Sequence, residues 1–254
     1  MSDQKYKTLL KPFRAVQREG IGFIPWCLRY SLSFRTRCRT AHQDFIIHKG
    51  RAIPFKSVTG KSTSERWSYI APIFEDAVTG RTVLDMGANV GFFSLKALEY
   101  QAAEVTACEY YEDLIDIMKN TKNNLGIHNW NIVLGDFFNK KSFSFENKSR
   151  YDVVMLLGIV HTMLASGILK KTFCSYYDLF EYISSLTNSR ILVEFVLPRE
   201  KELKVFSDKS IKEEFTRDRF ENALKHIFPT TRFLGRCQYH SGNSYGRYMY
   251  YGIK

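Results

Sequence analysis

From Arg81 onward, short apolar runs bounded by polar residues or glycine alternate with stretches of helical spacing. Thr82 to Met86 reads as a strand, and Phe92 to Tyr100 as the helix that follows it. Glu104 to Cys108 is a second strand, with a helix over Tyr111 to Leu125 that stops near Gly126. Ile132 to Leu134 and Val153 to Leu157 are the third and fourth strands, each followed by a polar turn. Phe173 to Leu186 has the spacing of a helix with one buried face, and Arg190 to Val196 is a strongly β-branched strand. Phe220 to Phe228 reads as a last crossover helix. Thr231 to Tyr239 and Tyr245 to Ile253 would close an antiparallel hairpin around Ser241-Gly242-Asn243-Ser244.

Strands that alternate with helices pair in parallel and are covered on both faces. The expected fold is therefore α/β, a doubly wound, mostly parallel sheet of seven strands with the antiparallel hairpin at one edge. Ahead of the sheet, Tyr6 to Tyr30 has helical spacing and Ser62 to Phe74 reads as a helix. The charged insertion from Pro198 to Asp218 would lie over the carboxyl ends of the strands, where such sheets bind ligands.

Charge divides the chain. Of the formal net charge of +11, residues 1–60 carry +9, from twelve Lys or Arg against three acids, while the remaining 194 residues are close to balance. The reading is a basic, aromatic-rich N-terminal arm over 1–60 and a separate domain over 61–254. Phe13, Ile21, Phe23, Ile24, Trp26, Leu28, Tyr30, Leu32 and Phe34 interleave there with Arg14, Arg18, Arg29, Arg35, Arg37 and Arg39. That mixture suits an anionic membrane surface, with rings inserted and cations at the headgroups. It also suits RNA phosphates and bases, or rings packed on the domain with solvated charges.

Composition narrows the class further. At 254 residues with 44% hydrophobic and 25% charged positions, the chain can build a full globular core. Five cysteines without CxxC or Cys/His spacing support neither a disulfide framework nor a zinc site, so a reducing cytoplasmic setting is expected, with no metal. The longest apolar runs, Ile21 to Leu28 and Val153 to Val160, are eight residues each, against roughly 20 needed to span a bilayer. The first residues show no secretory pattern.

The candidate chemistry begins at Val83-Leu84-Asp85-Met86-Gly87-Ala88-Asn89-Val90-Gly91-Phe92-Phe93, an acid at a strand end, a glycine-bearing turn and a helix start. Such a turn lets a ligand approach the backbone and offers helix amides to an anion. Glu109, 24 residues after Asp85, ends the next strand, where a carboxylate accepts both hydrogen bonds of a ribose diol. Asn89 and Phe92 replace two glycines of the dinucleotide pattern, which argues against a pyrophosphate.

These residues resemble the class I S-adenosylmethionine (SAM) dependent methyltransferases, whose first motif is D-x-G-x-G/N-x-G and whose second is an acid ending the second strand. Asp85, Gly87, Asn89, Gly91 and Glu109 match position by position, over a resemblance covering roughly residues 62–254. It implies SAM as cofactor and a Rossmann-like methyltransferase domain. Asp85, Gly87, Ala88, Asn89, Gly91, Phe92, Glu109 and Tyr110 would form the cofactor site, with Asp136 on the adenine amino group, Phe137 beside the ring, and Leu157 after the fourth strand. His161 would be the general base and Glu194 a second group touching substrate. Arg66, Trp67, His240 and Arg247 would bind the acceptor. Glu65-Arg66-Trp67, the His161 turn, Glu194-Phe195-Val196 and the Gly235 to Tyr250 region look more narrowly like bacterial methyltransferases that cap lipopolysaccharide O-antigen chains.

The implied reaction is methyl transfer to an oxygen of a sugar, glycan or lipid-linked saccharide, at the inner face of a membrane. The alternatives are an RNA (tRNA) methyltransferase that clamps phosphates with the arm, and a non-catalytic module of the same fold. The Asn/Asp-Pro-Pro-Tyr signature of amino-nitrogen methylation is missing after the fourth strand, and no Pro-Cys pair offers a covalent thiol.

Overall fold

A computed structural model describes residues 45–48, 51–54, 63–135, 150–197, 209–237 and 246–254, all within a unit spanning residues 41–254. A hairpin comes first, β1 (Phe45–His48) paired antiparallel with β2 (Arg51–Pro54). The central sheet has seven strands in the order β5-β4-β3-β6-β7-β9-β8: β3 (Thr82–Met86), β4 (Glu104–Glu109), β5 (Trp130–Leu134), β6 (Tyr151–Leu156), β7 (Thr187–Val196), β8 (Thr230–Cys237) and β9 (Arg247–Ile253). The first five strands in the order run parallel. β9 pairs antiparallel with both β7 and β8. The expected doubly wound sheet with an antiparallel edge is therefore present, and β9 lies inside the edge strand β8.

The helices are α1 (Thr63–Val78), α2 (Phe92–Glu99), α3 (Glu112–Leu125), α4 (Val160–Leu169), α5 (Tyr176–Leu186), α6 (Lys209–Glu214) and α7 (Arg217–Ile227). Helix α3 ends where expected, at Gly126 in the left-handed conformation. Ser175 and Thr216 cap α5 and α7 through their side chains, accepting from the amides of Asp178 and Arg219. Fully buried aromatic rings fill the layer between α5, α7 and the sheet, among them Tyr176, Phe180, Phe195 and Phe220, with Tyr176 and Phe220 5.4 Å apart edge to face.

One expectation is corrected. The stretch after the fourth strand is not a polar turn but α4, whose buried residues Val160, Met163, Leu164 and Gly167 follow helical spacing. The apolar run of β6 continues into the helix through Leu157 and Ile159, so no polar break marks the change of period. The insertion after β7 contributes α6, and its residues 198–208 lie outside the described structure, as does the hairpin turn at 238–245.

Two features of this topology place the site. The strand order reverses between β3 and β6, which opens a crevice at their carboxyl ends. In addition, β7 and β9 alternate their side chains so that Glu194 and Arg247 share one sheet face while Phe195 enters the aromatic core on the other.

Candidate functional site

The turn after β3 is held from three directions. Asn89 has φ 57°, the left-handed backbone expected of an asparagine standing in for glycine. Its amide donates to Glu109 Oε2 at 2.8 Å. Gly91, φ 87°, opens α2 without a side-chain cap, and a Cβ there would lie 2.5 Å from the Trp130 ring. Gly87 donates its amide to the Cys108 carbonyl, and a Cβ on it would come 3.1 Å from Ile159, the residue that opens α4. The turn therefore touches both walls of the crevice, β4 on one side and the start of α4 on the other.

Asp85 sits beneath this turn rather than in the open crevice. It is buried, and Ser94 Oγ donates to its Oδ2 at 2.6 Å. Burial pushes its carboxyl up to about 7, against the Ser94 hydroxyl and amide that favour the ionised form, and the nearby Glu109 raises it further. Because Ser94 lies in the first turn of α2, Asp85 acts as a remote cap for a helix whose own capping residue has no side chain. Ser94 was not singled out from sequence. The signal available was a lone hydroxyl in the apolar run Phe92-Phe93-Ser94-Leu95.

Glu109 is the best-organised acid of the crevice. Besides the Asn89 amide, its Oε1 accepts from the amides of Tyr110 at 2.7 Å and Tyr111 at 3.2 Å. Burial raises its pKa, and the three amide hydrogen bonds oppose that shift. Three large side chains stand exposed beside this buried carboxylate: Tyr110, 47% exposed, Tyr111, 46% exposed, and Leu134, 52% exposed and in register with Glu109 across the β4–β5 pair. A polar sugar and a flat, mostly apolar base side by side fit that pairing of carboxylate and exposed apolar walls. Leu157 and Ala88 are buried. The Phe92 ring is fully buried against Phe93, 5.0 Å between centroids, so only its backbone is available to a ligand. Asp136 and Phe137 lie outside the described residues.

The second wall carries charge. Glu194, fully buried on β7, accepts from Arg247 Nη1 at 2.8 Å and lies 3.6 Å from Arg66 Nη1 of α1. Burial would raise the Glu194 pKa. Arg247 and Arg66 overcome that and, with His161 nearby, hold the carboxyl below its ordinary value. Gly158, at φ 92°, brings the backbone after β6 onto this cluster: a Cβ would lie 3.0 Å from Arg247 Nη1 and 3.1 Å from Glu194 Oε2. His161 follows in the first turn of α4. Four of the residues picked from sequence for the acceptor side (Arg66, His161, Glu194 and Arg247) are thus brought to one place. Gly158 is the member that sequence reasoning passed over.

Trp67 is placed elsewhere. Its ring packs edge-on to Phe74 at 4.9 Å and lies under Lys96 Nζ at 5.3 Å, fastening α1 to α2. His240 is outside the described residues. Among the described residues no group of His, Cys, Asp or Glu could hold a metal ion, and no helix is long and apolar enough to cross a membrane. Burial pushes the Cys237 thiol up to about 12 and raises that of Cys108 as well, which suits neither for nucleophilic work.

No family model matches this sequence, and no curated protein does. Solved structures do share its fold. One is WbdD, described as a bifunctional kinase-methyltransferase, at TM-score 0.52 and 14% identity, covering 75% of this chain and 38% of that one. A second is magnesium protoporphyrin IX methyltransferase (ChlM) from Synechocystis PCC 6803 with bound SAM, at TM-score 0.50 and 14% identity, covering 75% and 78%. A third is Trm5b from Pyrococcus abyssi, at TM-score 0.50 and 17% identity, covering 85% and 57%. The chain thus spans under two-fifths of the length of WbdD. It has the Rossmann-like fold of class I methyltransferases.

Proposed function

We propose that this chain is a SAM-dependent methyltransferase that acts on an oxygen of a saccharide, glycan or lipid-linked saccharide acceptor. The observation that carries the reading is the anchored Glu109 carboxylate, tied to the left-handed Asn89 turn and flanked by exposed Tyr110 and Leu134. Glu109 would accept from the ribose hydroxyls, with Tyr110 and Leu134 beside the base. Bound SAM supplies an electrophilic methyl carbon on a sulfonium. The site's main task is then to hold a nucleophile about 3 Å from that carbon and keep water out.

A hydroxyl acceptor must lose its proton, and His161 at the start of α4 is the group suited to take it. Glu194 is a poor choice for that step, because two arginines keep it ionised and fully buried. It serves instead as a positioning residue that fixes Arg66 and Arg247. The +9 charge and the rings of residues 1–60 support contact with an anionic membrane surface, which would bring a lipid-linked acceptor to the crevice.

The test is transfer of radiolabelled methyl from SAM into fractionated lysate. Label in saccharide or glycolipid is the expected result. Label in nuclease-sensitive material would move the acceptor to RNA, with binding that weakens steeply in salt. No transfer despite cofactor binding would leave a non-catalytic module.

A further inference from the structure

The β8 edge of the sheet carries an aromatic and cationic platform that the cofactor crevice does not use. A strand alternates its faces, so Phe233 and Arg236, three positions apart on β8, would ordinarily point to opposite sides of the sheet. The β8–β9 register shifts between Phe233 and Gly235, which leaves Phe233 opposite Tyr250 and Arg236 opposite Tyr248. Both therefore share a face with Tyr248, the Phe233 ring 6.3 Å from its centroid and the Arg236 guanidinium 5.5 Å over it. Arg217, at the start of α7, locks the group from the helix side. Its guanidinium lies 4.4 Å over Tyr248 and 5.0 Å over Phe233, and is itself held by Glu221 at 2.7 Å and by the Tyr250 hydroxyl at 2.9 Å. A single exposed apolar ring is ordinary. This one, 50% exposed, is braced by a ring and a fixed cation. Beside it Arg236 is exposed and, among the described residues, is braced by Tyr248 and by no carboxylate. Addition of a further strand is poorly served here, since the register shift and the arginines Arg232 and Arg236 interrupt the edge. The platform also lies one residue pair from the crevice wall: Arg236 stands opposite Tyr248, and Cys237 opposite Arg247.

We infer that Phe233 and Arg236 form a second saccharide subsite, which holds an acidic sugar unit of a chain whose end enters the crevice. This rests on the saccharide reading above and narrows its acceptor to an acidic oligosaccharide. The apolar face of a pyranose ring can cover an exposed phenylalanine ring without stripping water from any polar atom of that side chain. A guanidinium that lies over a ring keeps its N–H fork at the edge, and the fork matches a carboxylate in two parallel hydrogen bonds. Because Arg217, Glu221 and Tyr248 already fix the platform, little side-chain entropy remains to be lost on binding. Tyr248 and Arg247 project from opposite faces, so the chain would pass over the end of the β8–β9 pair. A single-stranded nucleic acid instead calls for successive rings under successive bases. Of Phe233, Tyr248 and Tyr250, Phe233 alone is exposed. One exposed ring beside one exposed guanidinium fits one acidic sugar.

The experiment titrates the full chain calorimetrically with hexagalacturonate, maltohexaose and hexauridylate. Hexagalacturonate should bind at least about ten-fold more tightly than maltohexaose, as one charge-assisted pair implies, and should weaken as salt is added. Arg236→Gln and Phe233→Ala should each raise its Kd at least about five-fold. Lys119→Gln, an equal loss of charge at an exposed position of α3, should leave it within about two-fold. Both platform variants should keep the wild-type Kd for S-adenosylhomocysteine, and if Phe233→Ala does not fold, the Arg236→Gln result decides. Equal binding of maltohexaose, tighter binding of hexauridylate, an equal effect of Lys119→Gln, or no heat from hexagalacturonate would each overturn the inference. Failure of S-adenosylhomocysteine itself to bind would strike the methyltransferase reading, and failure of hexagalacturonate alone strikes only this one.

Discussion

Glu109 Oε2 accepts the backbone amide of Asn89 at 2.8 Å, so the acid that ends β4 also fixes the left-handed residue in the turn after β3. The two motifs, 20 residues apart, are one device. Replacing Glu109 with Ala removes the proposed acceptor for a ribose diol and the restraint on the turn together. We expect the Kd for S-adenosylhomocysteine to rise about ten- to a hundred-fold, as loss of one hydrogen bond to a charged group implies. Calorimetry on the folded variant checks this, and a change under two-fold would reduce Glu109 to a structural part.

Gly91→Ala should cost stability for two additive reasons. The residue has φ 87°, and its Cβ would fall 2.5 Å from the Trp130 ring. Backbone strain and overpacking at about 1–3 kcal/mol each predict a lower urea midpoint with an unchanged slope.

The two buried carboxylates Asp85 and Glu194 should give opposite pH dependences. Asp85 has its folded pKa raised from 3.8 to about 7, so the folded state holds the proton more tightly than the unfolded one. Its contribution to stability is present below pH 4 and is lost as pH rises through about 7. Asp85→Asn keeps an acceptor for the Ser94 hydroxyl and should flatten the stability profile between pH 4 and pH 7, read from urea midpoints.

Glu194 is depressed below its ordinary value by Arg247 and Arg66 against the effect of burial. Its contribution is present above the unfolded pKa of about 4.5 and is lost as pH falls through the lower folded value. Glu194→Gln removes the carboxylate that the buried Arg66 and Arg247 both contact and should cost about 3–5 kcal/mol at neutral pH. Chemical denaturation would show whether the loss is that large.

His161→Ala should abolish methyl transfer and leave the S-adenosylhomocysteine Kd within about two-fold, because the residue lies on α4 and not on the β3–β4 side. Single-turnover transfer of labelled methyl, paired with calorimetry, separates the two effects. Turnover that persists would remove the base role from this histidine.

Much of this was legible in the chain, for physical reasons that differ by element. The strands β3 and β4 are short apolar runs broken by polar residues, and the Asp85-to-Gly91 turn carries its backbone demands in residue types, so both were readable. Helix α4 was hidden because Val153 to Val160 is apolar without interruption, which erases the boundary between periods of two and 3.6. The partnership of Glu194 with Arg247 and Arg66 joins residues 53 and 128 positions apart and depends on the β7–β9 register and on where α1 lands. Nothing local encodes that pairing. Trp67 adjoins Arg66 in sequence, yet helical geometry turns the two side chains about 100° apart, sending the indole toward α2. Asp136, Phe137 and His240 lie outside the described residues.

The most direct measurement is a calorimetric titration of the wild-type full chain with S-adenosylhomocysteine. A saturable heat with one site per chain, lost or strongly weakened in Glu109→Ala, is the predicted outcome. A folded protein that evolves no heat with that compound or with SAM would contradict the cofactor site, and with it the chemistry built on it.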